Sequence, residues 1–350
     1  MIEIDGSYGE GGGQIVRTAL ALSLLTSKPF RITNIRSGRD KPGLKAQHVH
    51  AIKAAQQLSD ASVSGAVEGN KELEFHPRTF TAKKLSIDIG TAGSITLLLQ
   101  ALLPAIIFGP KRCTLEISGG TDVAWSCPAD YYANILLPTL ERYAHIGFAI
   151  KKRGFYPKGG GQCTLTIEPL HPLGAQAPPL VLDTQGTLVK INGVAVASKS
   201  LAGHEVAERM AQSARDLLTN QYKIPIDIRT EYADTFSDGC TITLWAVCSP
   251  TQDVTPHTRR LIGADVLGEK GIPAETIGRE AAQKLIKTLD SGAAVDEHLA
   301  DNLIPFLGLC GGTIKTSTIT PHTTTNMFVV EKFLPVKFHV QGNVITAEKN

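Results

Sequence analysis

Two hydrophobic rhythms take turns along this chain, an alternating one and a helical one. Met1-Ile2-Glu3-Ile4 alternates apolar and polar residues and predicts a strand over 2–5. An apolar run over 13–25 predicts a helix, which Lys28-Pro29 ends. A strand over 30–35, a helix over 44–58 and strands over 63–67 and 73–75 complete one unit. The order then recurs. A strand over 85–89, a helix over 94–108 closed by Gly109-Pro110, a strand over 113–118, a helix over 129–143 and strands before and after Gly159 form a second copy. A third copy has its opening strand near 180–182. It resumes with a helix over 295–309, a strand over 313–318, a helix over 323–333 and strands over 336–340 and 344–347. A period of roughly 80 residues is too long for a solenoid turn, so each copy reads as a small α/β subdomain.

About 110 residues interrupt the third copy and carry a pattern of their own. It comprises strands over 188–196, 226–229 and 240–247 and helices over 204–219 and 274–289. The Pro- and Ala-rich stretch 172–179 reads as a linker ahead of it. The expected fold class is α/β (α+β). A large domain of three βαβαββ repeats covers 1–182 and 293–350, with repeats at about 1–80, 81–170, and 171–182 joined to 293–350. An inserted small α/β domain covers 183–292.

Composition narrows the class. The 350 residues are 42% hydrophobic and 19% charged, which suits a soluble globular protein with ample core. No apolar run approaches the roughly 18 residues of a membrane span, and no basic-then-apolar leader opens the chain. Six scattered cysteines without a C-x-x-C pair speak against a zinc site or a disulfide framework and fit a reducing cytoplasm. A net charge of +2 does not demand long contacts with nucleic acid, but it allows a local basic cluster to hold a phosphate-bearing end.

Two glycine clusters carry the candidate chemistry. In Arg153-Gly154-Phe155-Tyr156-Pro157-Lys158-Gly159-Gly160-Gly161 a glycine run follows a Pro-Lys pair, and two readings stand: a tight hairpin, or a loop whose N–H groups hold an anion. Gly9-Glu10-Gly11-Gly12-Gly13-Gln14 lies between a strand and a helix start, the geometry that presents N–H groups to a phosphate. It is neither a Walker sequence nor a G-x-G-x-x-G motif. His322 begins a predicted helix behind Pro321. Glu10 is either compensation for a helix N-terminus or a metal-binding carboxylate, and Asp301 either an exposed helical acid or a second such group. Arg36 and Arg39, three apart at a strand end, suit bidentate phosphate recognition, or else a solvated turn. Gln100, alone in an apolar helix, needs a partner in a neighbouring helix or in a ligand.

The Arg153–Gly161 stretch resembles the signature of the RNA 3′-terminal phosphate cyclase family, and 9–14 resembles that family's N-terminal motif. The likeness runs over nearly the whole chain and is weakest between about 180 and 290. It implies three repeats like the C-terminal domain of bacterial translation initiation factor three, with an inserted domain of thioredoxin-like topology. It further implies ATP-dependent conversion of an RNA 3′-phosphate to a 2′,3′-cyclic phosphate, with RNA bearing a 3′-phosphate end as partner. On this resemblance His322 is the nucleophile that becomes adenylylated. Glu10 and Asp301 lie by the histidine and the metal-bound triphosphate, with Mg²⁺ or Mn²⁺ as the ion. Gln14, Arg17 and Gln100 contact the nucleotide, and Pro128 packs on adenine. Arg36, Arg39 and Gln47 face the substrate phosphate. His298 stands where many relatives carry a tyrosine that stacks on adenine, and Cys163 where an aliphatic residue is usual. Two other classes remain: a non-catalytic cyclase-like protein acting in ribosome biogenesis, and an enolpyruvyl transferase built on related repeats. Monomer and homodimer are both open.

Overall fold

The computed structural model describes residues 1–81, 84–251 and 253–349. Strands β1 (Ile2–Asp5), β2 (Phe30–Thr33), β3 (Ser62–Ser64) and β4 (Leu73–His76) form a sheet in the order β1-β2-β4-β3. β1 and β2 run parallel; the other pairings are antiparallel. A parallel pair needs a crossover, and α1 (Gln14–Thr26) supplies it, while α2 (Ala46–Ser59) links β2 to β3. A second sheet has the same plan. It holds β5 (Lys84–Asp88), α3 (Ile95–Ile107), β6 (Cys113–Gly119), a helical stretch, β7 (Ala144–Lys152) and β8 (Gly161–Pro169), in the order β5-β6-β8-β7.

That helical stretch differs from the single helix expected over 129–143. It consists of α4 (Ala129–Tyr131), a π-helical turn (Tyr132–Leu136) and α5 (Leu137–Leu140). Pro138 has no N–H for the regular ladder, and the Leu137 N–H reaches back five residues to Tyr132.

β9 (Leu180–Leu182) opens a third sheet, but the chain leaves it at once for a separate one. Strands β10 (Thr187–Ser198), β11 (Ile226–Ala233), β12 (Cys240–Ser249) and β13 (Arg260–Leu267) pair in the order β11-β10-β12-β13. Helices α6 (Val206–Gln221) and α7 (Ala274–Asp290) pack together against this sheet. β13 lies in a stretch where no strand is expected from sequence. Its buried positions do not alternate, and Arg260, Gly263 and Asp265 interrupt its apolar run, so the period-two signal is missing. The chain then returns through α8 (Glu297–Cys310), β14 (Gly312–Lys315), α9 (Pro321–Phe333), β15 (Val336–Gln341) and β16 (Val344–Lys349). Their sheet is ordered β9-β14-β16-β15.

Buried apolar side chains form one large cluster spanning the first, second and third sheets with their helices, and a separate one in the β10–β13 sheet. α1 is buried along nearly all its length because α2, α3 and α9 surround it. A helix apolar all round is what such a central place requires. It also sets the beginnings of α1 and α9 beside each other.

Candidate active site

α9 begins with a full set of cap bonds. Thr320 accepts from the Thr323 N–H at 3.0 Å, and the Thr323 hydroxyl meets the Thr320 N–H in return. This fixes the first turn, and with it His322. The side chain of Gln14, the first residue of α1, grips His322 at two points. Its Nε2 donates to the His322 carbonyl at 2.6 Å, and its Oε1 takes the ring Nδ1–H. An amide oxygen can only accept, so this contact is met by a proton on Nδ1, and it leaves Nε2 as the ring atom turned to the rest of the site. Nε2 faces Glu10 Oε2 at 3.1 Å, and the same carboxylate oxygen lies 3.7 Å from the Arg39 guanidinium. His322, Gln14, Glu10 and Arg39, scattered through the sequence, thus form one cluster at the edge of solvent.

A second layer supports it. Arg17, one turn into α1, is buried and donates through Nε to Gln100 Oε1 at 2.7 Å. The lone amide of α3 therefore orients an arginine, and the terminal nitrogens of Arg17 make no hydrogen bond or ion pair to the described residues. Burial draws its guanidinium pKa down to about 10. Asp301 lies behind the histidine. Its Oδ1 accepts from Thr320 at 2.8 Å and Thr323 at 2.5 Å, and its carbonyl accepts from Asn326, which in turn takes the Thr18 hydroxyl. Burial pushes this carboxyl up, against the two hydroxyls and the nearby His322 and His298. Asp301 is thus built into the α9 cap.

Arg36 adopts a left-handed backbone (φ 54°) and donates through one terminal nitrogen to the carbonyls of Lys41 and Gly43. It braces the 36–43 loop and lends it positive charge. Burial, with Arg39 nearby, lowers its pKa. Gln47 is half-buried in the first turn of α2, beside His48.

His48 is a residue that sequence reasoning passed over. It is buried, its Nδ1 accepts the Lys45 N–H at 3.0 Å, and its Nε2 presses on Gly13 so closely that no Cβ fits there. Burial, then the charges of Arg17, Arg36 and Lys45, hold its pKa down to about 3, so it is neutral. Its sequence signals are its place beside Gln47 and three residues after Lys45, since Arg17 and Arg36 reach it only through the fold.

Pro128 is the N-cap residue of α4, and His298 is in the first turn of α8. Tyr131 links them, with its ring 6.4 Å from that of His298 and its hydroxyl donating to Asp296 at 2.6 Å. Desolvation would lower His298, but Asp265, Asp296, Glu297 and Asp301 outweigh it and raise the imidazole pKa. Among the described residues, no group of three or more His, Cys, Asp or Glu side chains could hold a metal by itself. The donor set fits an ion held by one carboxylate and by oxygens of its ligand, as Mg²⁺ commonly is beside phosphates.

The Arg153–Gly161 stretch behaves otherwise. It is the connection between antiparallel β7 and β8, so the hairpin reading holds. Arg153 is buried, bonded to Asp130 and doubly to Glu231 at 2.9 and 2.8 Å, with Asp122 at 3.8 Å. Phe155 packs against Val194 and Val196 of the inserted sheet, and the Lys158 N–H donates to Ser237. All six cysteines are free thiols, and five are buried. No helix among the described residues is long and apolar enough to cross a membrane.

The scaffold is a mixed α/β one that sets a capped histidine beside a carboxylate, with a buried arginine in the adjoining helix. The comparisons carry this further. The profile of the family described as RNA 3′-terminal phosphate cyclase matches residues 8–340. A protein named RNA 3′-terminal phosphate cyclase from Pyrococcus abyssi is 46% identical over 345 residues, covering 98% of this chain and 96% of its own. One of the same name from Methanosarcina mazei is 44% identical, with 97% of each chain covered. One from Pyrobaculum aerophilum is 43% identical over 96% of this chain and 94% of its own. The chain belongs to the RNA 3′-terminal phosphate cyclase family.

Proposed function

We infer that this protein is an RNA 3′-terminal phosphate cyclase, a ligase that uses ATP to close an RNA 3′-phosphate into a 2′,3′-cyclic phosphate. Beyond family membership, the observation that carries the reading is the grip of Gln14 on His322, which turns Nε2 toward Glu10 and Arg39. His322 Nε2 attacks the α-phosphorus of ATP and pyrophosphate departs, leaving a histidine–AMP phosphoramidate. AMP passes to the RNA 3′-phosphate. The adjacent 2′-hydroxyl then attacks that activated phosphate and AMP leaves. Proximity favours the last step because nucleophile and electrophile share one ribose, and the requirement for a 2′-hydroxyl selects RNA over DNA.

The residues take distinct parts. Gln14 sets the tautomer and Asp301 sets the helix cap that carries the histidine. Arg17, oriented by Gln100, offers its terminal nitrogens to a phosphate, and the start of α1 offers N–H groups. Arg39 and Gln47 meet the RNA phosphate, with Arg36 shaping their loop. Pro128 and His298 bracket the adenine. Glu10 would hold Mg²⁺ or Mn²⁺ together with triphosphate oxygens, and the ion would supply charge neutralisation for the departing pyrophosphate. The shared order of the β1, β5 and β9 sheets supports the division into three repeats like those of the initiation-factor domain. The β11-β10-β12-β13 order, with β10 and β11 parallel, supports a thioredoxin-like insertion over 183–292. The free thiols suit a cytoplasmic setting.

The test is labelling with α-phosphate-labelled ATP and a divalent metal, analysed without acid. Wild type should take label and His322→Ala should not, and a 3′-phosphorylated RNA should discharge the label as AMP. Folded wild type that takes no label would instead favour a non-catalytic binding protein.

A further inference from the structure

One buried carboxylate oxygen accepts no hydrogen bond from the described residues. Asp265 is on β13, in the inserted sheet. Two residues earlier on that strand, Gly263 donates its N–H to Asp296 Oδ2 at 2.7 Å, and a Cβ there would come within 2.6 Å of the Tyr131 ring and the Ile135 side chain. β13 therefore lies hard against α4, the π turn and the start of α8. Side chains alternate along a strand, so Asp265 shares the face that Gly263 presses on these elements. Its Oδ1 is buried and accepts no hydrogen bond from the described residues. Burial pushes this carboxyl up to about 6, against His298 and Lys284. It is the first of the charges that act on His298, and likewise on Cys127, the residue before Pro128. A buried acceptor without a partner is costly, and folded proteins seldom leave one without reason.

We propose that Asp265 reads the base: its free oxygen accepts a hydrogen bond from the exocyclic amine of an adenine held between Pro128 and His298. The inference rests on the adenylyl-transfer reading of the site. It gives the inserted domain a part in choosing the nucleotide. Guanine presents a carbonyl at the corresponding position, which would face the carboxylate oxygen without a proton between them. A site built to bond a particular group discriminates strongly against an analogue lacking it, because its own polar atom is then left unpaired.

The experiment compares labelling of His322 by α-labelled ATP and α-labelled GTP on the same preparation, so that the ratio does not depend on the fraction folded. Wild type should prefer ATP. Asp265→Ala should lower the ATP-to-GTP ratio about tenfold or more, the scale of one hydrogen bond to a charged group. Asp265→Asn, close in shape, should lower the ratio by raising GTP labelling, since an amide N–H can donate to the guanine carbonyl. Protection against thermal unfolding by AMP over GMP should follow the same order without any turnover. Equal labelling of wild type by ATP and GTP, or an unchanged ratio in both variants, would overturn the inference and leave the site reading intact. Wild type that takes no label from either nucleotide would remove both.

Discussion

The two glycine-rich stretches look alike in sequence and serve opposite purposes. In 9–14 the glycines make room for other parts of the site. Gly13 admits His48, a Cβ on Gly12 would lie 3.7 Å from the Arg39 guanidinium, and Gly9 lies against Thr325 of α9. In 153–161 they make room for the chain itself. Gly154 packs on Gly159 and Gly161, Gly159 on Thr91 and Ala92, and Gly160 on Phe236. Charge divides them in the same way. Arg17 and Arg39 keep guanidinium nitrogens available, whereas Arg153 is spent on Asp130, Glu231 and Asp122. A glycine run thus signals close approach, and only the fold decides whether a ligand or the backbone does the approaching.

Replacing Arg153 tests this division most severely. Arg153→Met would strand the buried carboxylate of Asp122 and leave Asp130 only Arg229, 3.6 Å away. Breaking a buried network from one side typically costs about 3–5 kcal/mol. Denaturant unfolding should show a loss of that order, while His322 labelling per folded molecule persists, because Arg153 reaches the proposed adenine pocket only through Asp130 of α4. Labelling lost at unchanged stability would place Arg153 in the site and erase the contrast.

Gly13→Ala probes the other stretch. The backbone there (φ −68°) suits any residue, and the nearest obstacle to a Cβ is the His48 ring. Overpacking of this kind costs about 1–3 kcal/mol, and here it should also displace Gln14 and depress labelling. In a His48→Ala background the same change should cost less than about 0.5 kcal/mol, because the ring that opposes it is gone. Equal costs in both backgrounds would show that Gly13 is glycine for another reason, such as the approach of a phosphate.

How far the sequence reveals this molecule depends on how local each feature is. Strands with a clean alternation, such as 2–5, and helices ended by Lys28-Pro29 or Gly109-Pro110 are legible because their signals lie within a few residues. β13 is not, since a strand buried without alternation shows no period. Among the candidate site residues, Glu10, Arg17 and His322 are proposed from family motifs, and the sequence says nothing of their mutual arrangement. Gln14 and His322 lie 308 residues apart, and only the packing of α1 against α9 joins them. The hairpin role of 153–161 was legible as one of two readings, and the acids that neutralise Arg153 decide between them, one of them from the inserted domain. His48 is the hardest case, because nothing local marks a histidine as neutral.

That neutrality yields the gentlest test, a slope against pH. The ordinary imidazole pKa of 6.5 applies in the unfolded chain, and the folded value is about 3. Above pH 6.5 the ring is neutral in both states and its contribution to stability is complete. As pH falls from 6.5 toward 3 the unfolded chain gains a proton that the folded protein refuses, so stability declines by up to about 1.4 kcal/mol per pH unit. The carboxyls of Asp122 and Asp265, pushed up to about 6, also titrate in the interval from pH 6.5 to 5, but alike in wild type and in a His48 variant, so the difference between the two isolates His48. Unfolding measured across that interval should be steeper for wild type than for His48→Gln, whose amide has nothing to titrate. Parallel curves would mean that His48 takes up its proton in the folded state. The 9–14 stretch would then carry an additional positive charge beside Gly13, and its contrast with the neutralised 153–161 turn would widen.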